Sequence, residues 1–225
     1  LDDVKRDPKG GIPIVRSDWM YYHRDISSNL FINYLTFNQY LKPSKNLYAL
    51  VNVGFLEMMY AGLRTEIIWK DNTKPYGFGL DLAQVQKRDT FGRFKLLKNK
   101  HFNTYLASIY YDLPNDWIIK IDGGKYLAGD FGSTVSIERT FNNGWEFGAF
   151  ATLTDVPFKT YGEGSFDKGI MIKAPVNWFL GKKSRSYAQT VIRPITGDGG
   201  AKLSLSGEKY LYYKVSEYSK KNILD

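Results

Sequence analysis

The 225 residues contain no cysteine, which excludes a disulfide framework and a thiolate metal site. Histidine is almost as scarce: His23 and His101 lie far apart, and neither a His-rich metal spacing nor a serine nucleophile elbow accompanies them. No apolar run approaches the roughly 18 to 20 residues of a transmembrane helix, and mean hydropathy is −0.36, so no helix is expected to cross a membrane. The chain opens Leu1-Asp2-Asp3 without an initiator Met or a leader pattern, the expectation for a processed protein or a piece of a longer one. Aromatic residues, in contrast, make up 16 %, with 17 Tyr, 14 Phe and 5 Trp. That is a heavy load for a polar chain, and one that an aromatic-belted barrel would explain. Lys and Arg outnumber Asp and Glu 31 to 23, a balance suited to lipid phosphates, an acidic polymer, nucleic acid or a merely solvated surface.

From about residue 29 the chain repeats one plan, an alternating segment, a turn and another alternating segment, which predicts an all-β meander. Strands are expected at 29–40, 47–56, 63–70, 76–86, 102–112, 117–127, 133–140, 145–155, 168–179 and 186–194, with 201–209 as a weaker eleventh. Compact turns rich in Gly, Pro, Asn or Asp fall at 42–46, 71–75, 114–116, 142–144 and 181–185. The connections between them, notably 87–101 and 156–167, are longer. In an up-and-down sheet alternate connections share an edge, so the short turns mark one rim and the long loops the other, as in outer-membrane barrels.

Strand residues alternate between two faces. Trp145, Phe147, Ala149, Ala151 and Leu153 share one; Leu63, Ile67 and Trp69, and Tyr76, Phe78, Leu80 and Leu82, repeat the pattern. A soluble sandwich would show the same alternation. Two details favour a membrane barrel. Trp69, Trp117, Trp145 and Trp178, with Tyr76, Tyr111 and Tyr187, are expected on the apolar face beside short turns, as a girdle at headgroup level. The opposite face carries Arg64, Glu66, Asp81, Lys120, Asp122, Glu138, Glu146 and Lys173, expected as lumen charges. Low mean hydropathy then follows, since only alternate residues meet lipid.

Little points to catalysis. Gly123-Gly124-Lys125 lacks Walker spacing and lies within a strand. The loop motif Gly162-Glu163-Gly164, followed by Asp167 and Lys168, could set two carboxylates around a sugar. Unusual backbone dihedrals at glycine and a local charge pair account for it more simply. The connection 87–100 gathers Lys87, Arg88, Arg93, Lys95, Lys98 and Lys100 around Phe91 and Phe94. No nucleic-acid motif accompanies these cations; on a barrel they are expected to contact an anionic glycan or lipid headgroups, with a merely solvated loop as the alternative.

At 123–139 the chain reads Gly-Gly-Lys-Tyr-Leu-Ala-Gly-Asp-Phe-Gly-Ser-Thr-Val-Ser-Ile-Glu-Arg, and at 162–169 Gly-Glu-Gly-Ser-Phe-Asp-Lys-Gly. Together with Val15-Arg16-Ser17-Asp18, Gly54-Phe55-Leu56-Glu57-Met58-Met59, Gln86-Lys87-Arg88-Asp89 and Arg193-Pro194-Ile195-Thr196-Gly197-Asp198-Gly199-Gly200, these tracts resemble the C-terminal barrel region of the YjbH and GfcD type of outer-membrane protein. That family serves exopolysaccharide and capsule secretion, and its members are several times longer than this chain. The resemblance implies a bacterial outer-membrane location and a role in polysaccharide export or assembly beside periplasmic and lipoprotein partners. It supplies no catalytic residues. The expectation is therefore an antiparallel up-and-down transmembrane β-barrel of about 10 to 12 strands, complete in itself or part of a larger or partner-completed barrel. Residues 29–209 would form it, with 1–28 as an extension or loop and 210–225 as a strand or tail. The expected function is non-enzymatic, with outer-membrane lipid and polysaccharide as partners and no cofactor, metal or nucleic acid. The alternatives are an outer-membrane enzyme acting on glycan or lipid through Glu163 and Asp167, and a scaffold within a larger complex.

Overall fold

A computed structural model describes residues 14–26, 31–90, 94–157, 166–176, 181, 187–193, 198–203 and 210–216. Within them the alternating segments form β1 (Leu35–Ser44), β2 (Leu47–Phe55), β3 (Tyr60–Lys70), β4 (Tyr76–Arg88), β5 (Leu96–Leu113), β6 (Trp117–Lys125), β7 (Phe131–Thr140), β8 (Glu146–Thr154), β9 (Asp167–Pro175) and β10 (Tyr187–Ile192). A helix α1 (Trp19–Ile26) precedes them and a short helix over 211–216 follows. The strands make one antiparallel sheet in which each pairs with its sequence neighbours, the arrangement that tight turns between successive strands impose.

Among the described residues β1 pairs only with β2 and β10 only with β9, so the sheet is open. It curls nonetheless, because Tyr34 just before β1 and Arg193 just after β10 line one cavity of about 640 Å³. Its two faces invert the usual order of a soluble domain. Arg64, Glu66, Lys120, Asp122, Thr134, Glu146, Thr152 and Asp167 are buried, whereas Leu63, Phe78, Leu80, Leu82, Ile109, Ile121, Val135, Ile137 and Leu153 are exposed. The buried apolar residues gather where other segments cover the inner face. One cluster joins Val15 and Tyr22 to Leu56, Met59, Tyr60, Val85 and Leu127; the other joins Leu211, Tyr212 and Val215 to Leu50, Ile68 and Tyr110.

Several boundaries differ from the pattern-based reading. β1 runs through Pro43 to Ser44 instead of stopping at 40; proline is tolerated there because β1 is an edge strand whose register shifts between Leu41 and Ser44. β5 begins at Leu96, so much of the expected loop 87–101 is hairpin: Asp89 N–H donates to the Lys95 carbonyl at 3.0 Å and Gln86 Nε2 to that of Leu97 at 2.9 Å. Lys98, Asn99, Lys100 and His101 offer no apolar alternation by which such a strand could be read. Residues 201–203 are not in a strand, and 204–209 lie outside the described residues. Residues 211–216 are helical rather than extended, because Leu211, Tyr212 and Val215, all buried, fall on one helical face.

Two adjacent glycines in β6 have unlike roles. Gly124 has φ +144°, and a Cβ there would lie 2.1 Å from the Tyr105 carbonyl oxygen, whereas a Cβ on Gly123 would meet nothing closer than Ser133 Oγ at 3.6 Å. Gly124→Ala should therefore destabilise the fold by about 1–3 kcal/mol in denaturant titration, while Gly123→Ala stays within about 1 kcal/mol of the parent. Equal losses from the two substitutions would contradict this account.

Candidate functional site

The inner face is a ladder of ion pairs built by strand register. Glu66 pairs with Asp81 across β3 and β4, and two residues before Glu66 the strand presents Arg64 on the same face. Arg64 is held on every nitrogen: Nε donates to Asp81 Oδ1 and Oδ2 at 3.1 and 3.0 Å, Nη2 to Asp81 Oδ2 at 2.6 Å and Glu66 Oε2 at 2.8 Å, and Nη1 to Asn52 Oδ1 at 3.0 Å. Further round the sheet, Asp122 holds Lys120 at 3.0 Å, accepts from Ser108 Oγ at 2.6 Å and pairs with Lys202. Glu146 pairs with Lys173 at 3.1 Å. Glu138 shares this face with Thr134 and Ser136, and with them it lines a second cavity that Lys120 and Asp122 also border. All eight charges singled out by alternation thus face inward.

Two segments sit on that ladder. Leu211 N–H donates to Glu66 Oε1 at 3.0 Å, and the Lys120 ammonium lies 3.6 Å from the Tyr210 ring centroid. Tyr212 stacks on Tyr110 at 4.0 Å between centroids and donates through its hydroxyl to Asp112 at 3.0 Å. At the other rim, Arg16 makes a forked pair with Glu57, at 2.7 Å to Oε1 and 2.9 Å to Oε2, and donates to the Lys202 carbonyl at 2.6 Å. Burial alone would lower the Arg16 guanidinium, but Glu57 opposite it prevails and raises it. Asp198 accepts from the backbone N–H groups of Arg16 and Ser17 at 2.6 and 2.8 Å and from Ser17 Oγ at 2.8 Å. Asp130 takes the Gly200 N–H at 2.7 Å; burial raises its carboxyl, and that hydrogen bond opposes the shift.

Four tracts scattered along the sequence therefore meet in one knot: Val15–Asp18, Gly54–Met59, Gln86–Asp89 and Asp198–Gly200. Its position corrects the expectation that Lys87 and Arg88 are loop cations. Both end β4 and are buried. Lys87 pairs with Asp18 at 2.7 Å. Arg88 donates to the carbonyls of Ile32, Asn33, Glu57 and Met58 at 2.8 to 3.2 Å, with its guanidinium 4.0 Å from the Phe55 ring centroid. The reason is the order of the knot, which demands cations where four carbonyls and a carboxylate converge. Lys95, Lys98 and Lys100 are exposed, and Arg93 lies outside the described residues.

The outer face carries its rings at the rims. Trp69 packs with Tyr76 and Phe78 at 6.1 and 5.9 Å, Trp145 with Phe147 at 6.1 Å, and Arg139 lies 5.5 Å over Trp117. Tyr111 stands opposite Tyr76 in register. Tyr187 does not join them: it pairs with Pro175, two residues from Lys173 on the same side, and so has the inner face's parity. The β9–β10 register, which sets Gln189 opposite Lys173, puts it there. Trp178 and the loop residues Gly162, Glu163 and Gly164 lie outside the described residues. Asp167 faces inward, and Lys168 lies 4.2 Å from the Phe166 ring centroid. Alternation did not single out a second set of rings at the opposite rim, Phe55 with Phe94 at 5.2 Å and Tyr105 with Phe131 at 5.9 Å. The signal was present in the strand-end positions of Phe55 and Phe131.

A family model described as "Exopolysaccharide biosynthesis protein YbjH" matches residues 1–217. The chain belongs to this family, YjbH. It is 31 % identical over 209 residues, 91 % of its length, to a protein of Escherichia coli (strain K12) described as the uncharacterized lipoprotein YjbH. The match covers 29 % of that protein, so the chain spans less than a third of the relative's length. No solved structure matches. The four tracts of the rim knot all lie within the region that the family model matches.

Removing one member of a buried charge group strands the others. Arg64→Leu should lower stability by about 3–5 kcal/mol in urea unfolding followed by tyrosine and tryptophan fluorescence. The triple variant Arg64→Leu, Glu66→Leu, Asp81→Leu should recover a large part of that loss, since no charge is then left alone. A triple variant no more stable than the single one would refute the pairing account.

Proposed function

We propose that the chain is a β-barrel region of the bacterial outer membrane with a non-catalytic role in exopolysaccharide secretion or assembly. The observation that carries this reading is the inverted polarity of the sheet. Its outer face exposes Leu63, Leu80, Leu82, Ile109, Ile121, Val135, Ile137 and Leu153 while Arg64, Glu66, Lys120 and Asp122 are buried. An apolar surface of that extent marks contact with something other than water.

The dimensions agree with a bilayer. Phe131 and Phe141 lie ten residues apart along β7 and its continuation, about 33 Å of extended chain, which at a tilt of about 40° spans the roughly 25 Å apolar band of an outer-membrane barrel. Aromatic rings at both ends of such a band suit the two headgroup levels. Membership of an exopolysaccharide family supplies the polysaccharide, and the lipoprotein description of the E. coli relative is compatible with a membrane setting. In this reading the edges of β1 and β10 close the barrel against each other or against further strands, and Lys95, Lys98 and Lys100 project beyond the rim toward anionic headgroups or glycan.

A membrane face and a wet face respond differently to charge. Ile121→Arg should destabilise the protein in lipid bilayers by about 2–4 kcal/mol, and Phe131→Arg at the rim by about 0–1 kcal/mol. A water-facing Ile121 would tolerate arginine within about 0.5 kcal/mol, and that result, with recovery of the protein in the soluble fraction without detergent, would overturn the membrane reading. For the secretion role, deleting the gene should abolish or sharply lower surface polysaccharide. Lys95→Glu, Lys98→Glu, Lys100→Glu should reduce it partly, and undiminished export would remove the loop cations from the account.

A further inference from the structure

A cavity of about 220 Å³ lies between the inner faces of β6 to β10 and the segments carrying Lys202 and Tyr210. That is room for several waters or for one pyranose ring. Its wall includes Asp167, Glu138, Ser136, Phe150, Arg193 and Tyr210.

Asp167 is the unexplained group. Its side chain is 4 % exposed, yet Oδ1 has no hydrogen-bond partner among the described residues, and the nearest cation, Arg193 Nε, stands 3.8 Å away, outside hydrogen-bonding range. A buried carboxylate oxygen without a donor is costly; a hydroxyl brought by a ligand would satisfy it. Phe150 supplies a flat apolar wall. It lies over Gly169, where a Cβ would come within 2.7 Å of the ring, so the glycine lets the ring rest against the sheet. Charges around the cavity balance, with Lys120, Lys202 and Arg193 matched by Asp122, Glu138 and Asp167, and Asp122 already held between Lys120 and Lys202. Such a lining has no surplus of cations for a polyanion. A ring to meet the C–H face of a sugar, beside carboxylate and hydroxyl groups to meet its O–H groups, is instead the complement of an uncharged pyranose.

We propose that this cavity binds a neutral pyranose unit of a glycan, with Asp167 accepting from its hydroxyls and Phe150 packing against its apolar face. The inference rests on the glycan reading above and adds to it the place and the charge of the sugar. It also separates two tasks, since the exposed lysines of the rim take no part in it.

The test uses the full chain in detergent, titrated with a glucose hexasaccharide, a galactose hexasaccharide and a galacturonate hexasaccharide, with binding followed by saturation-transfer NMR. At least one neutral hexasaccharide should bind about tenfold or more tightly than the galacturonate one, and Asp167→Asn should weaken it by about tenfold, the loss expected when a charged acceptor is removed. Phe150→Leu should weaken binding independently of any effect of Asp167→Asn on folding, which circular dichroism would reveal. No neutral binding, preference for galacturonate, or unaltered binding in both folded cavity variants would each overturn the proposal. Gene deletion separates it from the broader reading. Loss of surface polysaccharide on deletion, together with cavity variants that bind as the parent does, would sink the site alone; unchanged polysaccharide on deletion would sink the secretion role.

Discussion

A curled sheet whose concave face carries ionised side chains has to satisfy them in a space where water is scarce. A lone charge taken out of water costs several kcal/mol even after relaxation, so every guanidinium, ammonium and carboxylate on that face needs a partner at the right height. The register of the meander provides part of this, setting Glu66 against Asp81 and placing Arg64 to bind both. The rest comes from outside the sheet. Lys202 and the backbone of Leu211 complete Asp122 and Glu66, and Tyr210 covers Lys120. The segments on either side of the meander are thus components of the charge balance on the inner face.

The same logic explains the rim knot. Arg16 and Asp198 are 182 residues apart in sequence, yet the Asp198 carboxylate accepts two backbone N–H groups and a hydroxyl from Arg16 and Ser17. Arg16 in turn spans Glu57 and the Lys202 carbonyl. Fastening the two flanking segments to each other and to the β2–β3 connection holds the open sheet in its curl although β1 and β10 do not pair with each other among the described residues. Polar atoms facing the interior and apolar side chains facing outward then become a single property: the charges are affordable inside because they are paired, and the apolar side chains are left on the exterior.

How far the sequence disclosed this depended on whether the information was local. The alternation of Trp145, Phe147, Ala149, Ala151 and Leu153, or of Leu63, Ile67 and Trp69, is visible within a few residues, and it located the strands and their faces. The inward charges from Arg64 to Lys173 were legible for the same reason, as were the rings of Trp69, Tyr76, Tyr111, Trp117 and Trp145 near the short turns, but not the place of Tyr187. That residue needed the β9–β10 register, which no count along one strand contains. Lys87 and Arg88 looked like loop cations because a cation carries no mark of burial; four carbonyls from distant segments decide that. The helix over 211–216 was hidden in a run of tyrosines equally suited to a strand, and only its packing on Tyr110 and Glu66 selects the helical face.

By itself, the sequence determined the class of the fold, the two-faced character of its strands and its tie to an exopolysaccharide family, because these follow from period-two patterning and from contiguous tracts. Tertiary structure decided which charges neutralise which, where the flanking segments lie and where a cavity remains with a buried carboxylate oxygen that has no hydrogen-bond donor among the described residues. The physical reason is range. Alternation is written between neighbours in the chain, whereas satisfying buried carboxylates such as Asp198 and Glu66 takes atoms brought from more than a hundred residues away, and only the folded chain brings them within about 3 Å.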